Sequence, residues 1–150
     1  MIIRPMVVDD LYRGYLTVLE SLSPVELRLP EAVQIFQLLP PEINIFVVVD
    51  EDNRSTVVGT ITVLLEKKFI HRGGVVGHIE DVAVHHDYQK EGVGSKLVNH
   101  AIEFCKSNGC YKIILDCRET LCSYYERFGF RKNETGMRLD LACNELSDKR

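Results

Sequence analysis

The chain contains 150 residues, 45% of them hydrophobic and 27% charged, and it carries a formal net charge of -4. This length and composition predict one soluble globular domain that buries its core without disulfides or metal ions. The acidic balance argues against a nucleic-acid-binding surface, and no apolar run reaches membrane-spanning length. Asp9, Asp10 and Arg13 near the start argue against a secretory signal, so we expect a cytoplasmic location, with an organellar address through a cryptic signal left open.

The first half of the chain predicts a strand, two helices and a hairpin. The predicted elements are a strand over 2–4, a helix from Asp9 or Asp10 to about Leu22, a helix over 30–39, and strands over 43–50 and 56–65. Pro24 ends the first helix, because the residue before a proline avoids helical geometry. Pro30 is favourable at a first helical position. A polar turn between the two strands indicates that they pair as a hairpin.

A charged loop is predicted over residues 66–77. Its tip reads Lys67-Lys68-Phe69-Ile70-His71-Arg72, which places three cations and a histidine in six residues. Such a run could bind an anionic ligand, or it could be a solvated hairpin tip. The residues alone favour neither interpretation.

The next stretch predicts a strand, a glycine-containing turn and a helix. The apolar run Ile79–Val84 has strand length, and apolar residues at helical spacing run from Val93 to Cys105. Between them, backbone N–H groups and the helix dipole at the helix N-terminus favour an anion, and glycine lets the main chain approach a phosphate. Glycines before a helix are also common for structural reasons, and the spacing fits neither G-x-x-x-x-G-K-[ST] nor G-x-G-x-x-G.

The remaining elements complete an α/β pattern. They are a buried strand over 111–117, a short helix over 121–128, a last strand over 137–141, and a polar tail over 143–150 that is expected to fray. The order β-α-α-β-β-β-α-β-α-β predicts a mixed central β-sheet flanked by helices on both faces.

The cysteine and histidine spacings give no metal-binding motif. The five cysteines are Cys105, Cys110, Cys117, Cys122 and Cys143, and no two have the C-x-x-C spacing of a zinc knuckle or redox pair. Reduced thiols are expected. His85 and His86 are adjacent, and neighbours in an extended segment point to opposite faces, so we do not expect them to chelate one metal ion. No metal site is predicted.

Two sets of motifs resemble known acetyltransferases. The Q-x-x-G-x-G turn at Gln89–Gly94, after a strand ending D-V-A-V, resembles the acetyl-CoA pyrophosphate loop of the GCN5-related N-acetyltransferase (GNAT) superfamily. Within that superfamily, segments over 12–15, 68–71, 77–82, 109–117 and 124–130 resemble the glucosamine 6-phosphate N-acetyltransferases. The stretch G-C-Y-K-I-x-L-[DE]-C at 109–117 is the most restrictive. The resemblance covers almost the whole chain and implies a single GNAT domain over 1–150.

The resemblance also implies a reaction and partners. Acetyl-CoA and D-glucosamine 6-phosphate would react in a ternary complex to give N-acetyl-D-glucosamine 6-phosphate and CoA, on the route to UDP-N-acetylglucosamine. Acetyl-CoA would be the co-substrate, without a metal. Members of this family are homodimers that exchange the C-terminal strand, so an intertwined homodimer is expected, with no nucleic-acid or membrane partner.

The resemblance assigns two groups of binding residues by position. The residues implied to bind acetyl-CoA are Val82, Ala83 and Val84 along the pantetheine arm, Gln89, Lys90, Glu91, Gly92, Val93, Gly94 and Ser95 around the pyrophosphate, and Tyr125, Glu126 and Arg127. The residues implied to bind the sugar phosphate are Ser23, Lys68, Phe69, Ile70, His71, Glu80, Asp81, Val82, Tyr111, Lys112 and Arg138.

The chemistry of acetyl transfer suggests a role for each catalytic candidate. A protonated amine cannot attack a thioester, so a carboxylate must accept its proton or orient it. Asp116 is the first candidate for orienting the amine and Glu80 the second candidate acceptor. A backbone N–H near Val82 can stabilise the oxyanion, and Tyr125 can donate a proton to the CoA sulfur. Without the resemblance, Asp116 would be read as a structural carboxylate and Tyr125 as a core aromatic residue.

The sequence departs from the family at two positions, and two other functions compete. Leu121 stands where an asparagine usually contacts CoA, and Asp140 stands where an arginine usually enters the partner's sugar site, with Arg138 two residues earlier. One competing function is a GNAT enzyme that acetylates a protein N-terminus, a lysine or a polyamine. The cationic loop at Lys68–His71 argues against it. The other is a non-catalytic acetyl-CoA-binding module. The presence of Tyr125 and Asp116, the catalytic candidates, argues against it.

Overall fold

The structure, a computed structural model, describes residues 1–141. The chain divides into two compact units, residues 1–116 and residues 117–150, and each is considered by itself. No helix within the described residues is long and apolar enough to cross a bilayer. The tail over 143–150, for which fraying was predicted, lies outside the described residues.

The first unit is built on a five-stranded sheet. Its strands are β1 (Ile2–Pro5), β2 (Ile43–Asp50), β3 (Thr56–Lys67), β4 (Val75–Val84) and β5 (Cys110–Leu115). They lie side by side in chain order; the first three pairings are antiparallel and β4 and β5 are parallel. A parallel pair requires a crossover connection, which the long helix between β4 and β5 provides. The predicted hairpin of β2 and β3 is confirmed.

The described residues form five α-helical segments. These are α1 (Tyr15–Leu19), α2 (Leu29–Gln37), α3 (Ile70–Gly73), α4 (Val93–Ser107) and, in the second unit, α5 (Cys122–Glu126). In α3, a single turn, His71 and Arg72 have left-handed φ values of 51° and 57°. Three 3-10 turns accompany these helices, over Val8–Arg13, His86–Tyr88 and Glu119–Leu121.

Helices cover both faces of the sheet, as the sequence predicts. On one face α1 and α2 pack against β2 and β3 in a cluster of buried residues: Met6, Leu11, Tyr15, Val18, Ala32, Val47, Val49, Val57 and Ala83. On the other face Phe46 meets Phe104 of α4 edge to face, with ring centroids 4.9 Å apart. Leu97 of α4 is fully buried, a side-chain burial that contributes about 1.5–3 kcal/mol.

One glycine lets α4 approach the sheet closely. A Cβ at Gly77 of β4 would lie 2.5 Å from the sulfur of Cys105, so a larger residue there would push α4 away from the strand. The close contact of Gly77 with Cys105 therefore sets the distance between α4 and β4, the strand that leads into the glycine turn.

The prediction of one continuous first helix is wrong. In place of one helix to about Leu22, the chain forms the 3-10 turn Val8–Arg13, then Gly14 with φ of 96°, then α1, which ends at Leu19. A residue with positive φ cannot continue a right-handed helix, and only glycine adopts this conformation readily. Gly14 therefore divides the segment in two.

The predicted loop and the last two strands also need correction. The loop predicted over 66–77 is shorter in the structure and spans 68–74, because β3 runs to Lys67 and β4 begins at Val75. β5 is partly exposed, not buried, because it pairs on one side only with β4. Residues 137–141 form no strand in the described chain, and Met137, Leu139 and Leu141 are 80–96% exposed. A strand needs a neighbour for its backbone hydrogen bonds, and this segment has none there.

Candidate active site

The backbone of β4 opens along one edge beyond Ile79. The parallel pairing with β5 runs from Val75 opposite Cys110 to Ile79 opposite Leu115 and then ends. Asp81 has φ of 48°, and the register with β3 shifts at this position, which is a β-bulge that bends the strand. Among the described residues, no strand pairs with 80–84 on the β5 side. The backbone of 82–84 can therefore hydrogen-bond an extended ligand.

The glycine turn ends in an uncapped helix. Gly92 is the N-cap of α4 with φ of 74°, and no side chain of the described residues caps it. The first hydrogen bond of α4 runs from Lys96 N–H to the Gly92 carbonyl over 3.0 Å, so the amides of Val93, Gly94 and Ser95 have no acceptor inside the helix. No atom lies within 4 Å of a Cβ built on Gly92. An anion can approach these amides directly.

Three carboxylates cluster where β4 and β5 separate. Asp116 follows the end of β5, and its charge and that of Asp81 both act on Glu80. Partial burial, and then the repulsion of Asp81 and Asp116, raise the pKa of Glu80 above its ordinary value, against a smaller opposite effect of His78. A carboxylate with a raised pKa is a better proton acceptor than an ordinary one.

The cationic segment before β4 is only partly available to a ligand. Lys68 Nζ forms an ion pair with the Glu66 carboxylate, whose other oxygen lies 2.7 Å from Nε2 of His78. The pKa of Glu66 is lowered by Lys68 and then by His78. Phe69 and Ile70 are exposed to solvent. Lys68 must therefore leave Glu66 before it can bind a phosphate, and its assignment to the sugar phosphate stays a prediction.

Other candidates for phosphate binding meet on β5. The ring of His71 lies against that of Tyr111, with centroids 4.4 Å apart, and Lys112 Nζ is 5.9 Å from the centre of the Tyr111 ring. His71 and Lys112 thus share one aromatic neighbour. Ser23, by contrast, is exposed in the turn that follows α1.

In the second unit, Tyr125 is buried in an aromatic cluster. Its ring lies 5.1 Å from that of Tyr124 and 6.0 Å from that of Phe130. Burial is the largest cause that raises the pKa of Tyr125, followed by the charges of Tyr124 and Cys117. The phenol therefore keeps its proton at neutral pH and can donate it.

Two arginines of the second unit have partners within that unit. The guanidinium of Arg127 stacks on the Tyr124 ring at 4.8 Å, whereas the Glu126 side chain is exposed. Arg138 Nε donates to Asp140 over 2.7 Å. Asp140 stands at the family's arginine position, and it therefore pairs with Arg138, the arginine that could take over that role. Leu121 is 44% exposed.

Sequence reasoning missed two features near these candidates. The first is the pairing of Lys68 with Glu66. Residues two positions apart in extended backbone lie on the same face, so this spacing could have indicated the pair. The second is the histidine pair: His85 and His86 do not point apart, since their ring centroids are 4.3 Å apart. The chain turns there into a 3-10 helix and is no longer extended.

Comparison with known proteins identifies the family. A family model described as "Acetyltransferase (GNAT) family" matches residues 7–130. The chain belongs to this family. GNAT acetyltransferases take the acetyl group from acetyl-CoA, and the uncapped amides of α4 beside Gly92 fit the pyrophosphate of that co-substrate.

The GNAT chain is similar to glucosamine 6-phosphate N-acetyltransferases of other organisms. It is 36% identical over 142 residues to glucosamine 6-phosphate N-acetyltransferase 1 of Oryza sativa subsp. japonica, a match that covers 91% of this chain and 85% of that protein. Over 85 residues it is 45% identical to glucosamine 6-phosphate N-acetyltransferase of Trypanosoma brucei brucei, covering 57% of this chain and 58% of that protein.

Solved structures have the same GNAT fold. The crystal structure of glucosamine-6-phosphate N-acetyltransferase from Arabidopsis thaliana superposes with a TM-score of 0.88 at 30% identity, covering 94% of this chain and 98% of that one. A Trypanosoma brucei acetyltransferase gives a TM-score of 0.87 at 34% identity, covering 93% and 99%.

Proposed function

We propose that this chain transfers the acetyl group of acetyl-CoA to the amine of D-glucosamine 6-phosphate, a reaction on the route to UDP-N-acetylglucosamine. The observation that carries the proposal is the match to the rice protein of that name, which extends over nearly the whole chain. The Arabidopsis structure of the same name supports it at the level of the fold. The restrictive stretch at 109–117 includes β5, whose Tyr111 contacts His71 and lies near Lys112.

Acetyl-CoA would bind along β4 and at the start of α4. The backbone of Val82, Ala83 and Val84 would pair with the pantetheine arm, which the absence of a strand partner for 80–84 among the described residues permits. The loop Gln89–Ser95 would hold the pyrophosphate on its amides. Tyr125, Glu126 and Arg127 would complete the coenzyme site.

The sugar phosphate would bind beside the carboxylate cluster. Lys112 and His71 would contact the phosphate as charge-assisted donors, and Lys68 would do so only after exchanging its Glu66 partner. Phe69, Ile70, Asp81 and Tyr111 would line the sugar. The other residues assigned to contact the sugar phosphate are Ser23, Glu80, Val82 and Arg138.

The catalytic steps follow from the protonation states. Glu80, whose pKa is raised, would accept the ammonium proton while Asp116 orients the amine. A backbone N–H near Val82 would stabilise the oxyanion of the tetrahedral intermediate. Tyr125, a phenol whose pKa is raised further by burial, would donate its proton to the departing thiolate.

Two further features belong to the proposal. The protein would be a homodimer in which 137–141 adds to the partner's sheet, in keeping with the exposed apolar residues Met137, Leu139 and Leu141. A cytoplasmic location would suit the thiols of the described cysteines. Fluorescence microscopy of a tagged chain would test that location.

The deciding experiment measures CoA release with different acceptors. With acetyl-CoA fixed, D-glucosamine 6-phosphate should give a much higher kcat/KM than glucosamine, a lysine peptide or a polyamine. Lys112→Ala should raise the KM for the sugar phosphate and leave that for acetyl-CoA unchanged. Lys106→Ala is the matched control, because Lys106 is an exposed lysine paired with Glu103 on α4.

Each alternative predicts a different result in the same assay. A preference for the peptide or the polyamine would identify an acetyltransferase with another acceptor. Acetyl-CoA binding without thiol release for any acceptor would identify a binding module. An equal loss of acetyl-CoA affinity in Lys112→Ala would overturn the phosphate-contact assignment.

A further inference from the structure

Three potential metal ligands converge in the turn after β4. Nε2 of His86 lies 3.0 Å from Oδ1 of Asp87, and Nδ1 of His85 lies 3.8 Å from Oδ2 of the same carboxylate. One donor atom from each of the three residues lies within 4.8 Å of the other two. The Asp87 carboxylate is thus within reach of both imidazoles.

The backbone explains this convergence. His85 is the N-cap of the 3-10 turn His86–Tyr88, and the Asp87 N–H donates to Nδ1 of His85 over 3.3 Å. Nδ1 therefore carries the lone pair that a metal ion requires. The long hydrogen bond is weak, so a metal ion can displace it. The His85 ring also packs edge to face with Tyr88, with centroids 5.9 Å apart.

We propose that His85, His86 and Asp87 form a binding site for one divalent transition-metal ion of the Zn²⁺, Co²⁺ or Ni²⁺ type. Two imidazoles and one carboxylate are a donor set that such ions favour over Mg²⁺ or Ca²⁺. The site lies in the turn between Val84 and Gln89, and the acetyl transfer proposed above uses none of its three residues.

The donor spacing is close to that of a bound ion. Metal–ligand bonds of about 2.0–2.2 Å hold neighbouring donors roughly 3 Å apart. The pair His86–Asp87 already has this separation, and the remaining gaps close by rotation of side chains. His86 and Asp87 are free to rotate, with side chains 75% and 67% exposed, whereas the His85 side chain is 20% exposed and provides the anchored ligand.

The surroundings favour a cation. A cavity of about 700 Å³ borders the turn, and four acidic residues are among those that line it: Asp50, Asp52, Asp87 and Glu91. The rest of the lining consists of His85, Tyr88, Met1, Asn53, Thr56 and Val58. The Tyr88 hydroxyl donates to Asp50 over 2.9 Å, which holds the turn against β2. Carboxylates lining one cavity lower the electrostatic potential there and raise the local cation concentration.

The test is calorimetric titration of the untagged chain with Zn²⁺, repeated with Co²⁺ as a spectroscopic probe. One Zn²⁺ should bind per chain, and Mg²⁺ should not compete. His86→Ala and Asp87→Asn should each weaken binding by more than about tenfold, since even the outer partners of metal ligands contribute that much. Because both side chains are exposed, the variants should fold, which circular dichroism would verify. Both should retain wild-type acetyl transfer.

Two controls separate this site from others in the chain. His71→Ala removes another exposed histidine and should leave Zn²⁺ affinity unchanged. Cysteine thiolates also bind these ions, but Co²⁺ bound to thiolate gives strong near-ultraviolet charge-transfer absorption, which nitrogen and oxygen ligands lack. Such absorption, unchanged affinity in both His86→Ala and Asp87→Asn, or no binding at millimolar Zn²⁺ would each overturn the proposal.

Discussion

Burial raises the pKa of Tyr125, the candidate acid, above the ordinary value of a phenol. Because the phenol keeps its proton at neutral pH, Tyr125→Phe should lower kcat by about a hundredfold, within the range typical of general acids. The KM values for both substrates should change little, since the phenyl ring still fills the cluster. Tyr124→Phe is the control for packing, because Tyr124 belongs to the same cluster. Equal turnover in wild type and Tyr125→Phe would remove Tyr125 from the acid role.

Glu80 gives a second residue-scale prediction, through its raised pKa. If Glu80 accepts the amine proton, kcat/KM should fall on the acid side at a pH above the ordinary carboxyl range. Glu80→Gln should lower the rate and abolish this acid limb. Asp116→Asn removes one repelling charge, so it should move the limb to lower pH. A pH–rate profile of the three proteins measures both effects, and an unchanged limb in both variants would exclude Glu80 as the base.

Among the elements, the link from β1 to the first 3-10 turn depends on one buried carboxylate. Asp10 is fully buried and accepts from Arg4 Nη2 over 2.7 Å, Arg4 Nη1 over 2.8 Å and the Val7 N–H over 2.8 Å. Burial alone would raise the pKa of Asp10, but the bonds from Arg4 and Val7 outweigh it and the pKa is lowered. The charged form therefore stabilises the fold.

Replacing this carboxylate should destabilise the protein in a pH-dependent way. Asp10→Asn should lower the free energy of unfolding by about 3 kcal/mol at pH 7, because Arg4 loses its charged partner. Since the folded-state pKa is depressed, this contribution is present above the unfolded carboxyl pKa and is lost as pH falls through the folded value. Urea unfolding at several pH values measures it. Asp9→Asn, at an exposed neighbour, should have little effect, and a similar loss in both variants would contradict the argument.

The two ends of α4 offer a matched test of the glycine turn. Gly92 and Gly109 have φ values of 74° and 69°, and at neither position would a Cβ meet an atom within 4 Å. Alanine at either position should therefore cost about 1 kcal/mol of stability through left-handed strain. Only Gly92→Ala should also raise the KM for acetyl-CoA, on the order of tenfold, by obstructing the helix amides. Unchanged acetyl-CoA affinity in Gly92→Ala would place the pyrophosphate elsewhere.

Local sequence patterns predicted those elements whose bounds depend mainly on their own residues. The bounds of β2 agree with its run of β-branched residues, and α4 agrees with its apolar spacing. The first helix was predicted as continuous because its apolar spacing continues across Gly14, whose positive φ is set by how the two halves pack on the sheet. The exposure of β5 depends on its place at the sheet edge, which no local pattern reveals.

At the scale of the whole molecule, the pairing of strands determines which partners a motif residue has, and the motif alone does not show this. The motif around Lys68 predicts a cation for the phosphate, but the register of β3 with β4, in which Leu64 lies opposite His78, places Glu66 diagonally beside His78. The carboxylate then bonds to His78 and Lys68. The motif residues are present as the sequence implies, but the ion pair of Lys68 depends on a contact between Glu66 and His78, which are twelve residues apart in the sequence.

The segment over 137–141 carries the last prediction, on assembly. Its apolar residues Met137, Leu139 and Leu141 alternate with the ion pair of Arg138 and Asp140, which is the pattern of a strand with one face to be buried. The single chain gives it no strand partner among the described residues, so a second copy should supply one. Leu139→Asp should convert the dimer to monomer in light scattering coupled to size-exclusion chromatography, because a buried carboxylate opposes the pairing. Asp140→Asn, on the other face, should leave the dimer intact, and a wild-type monomer or a dimeric Leu139→Asp variant would refute strand exchange.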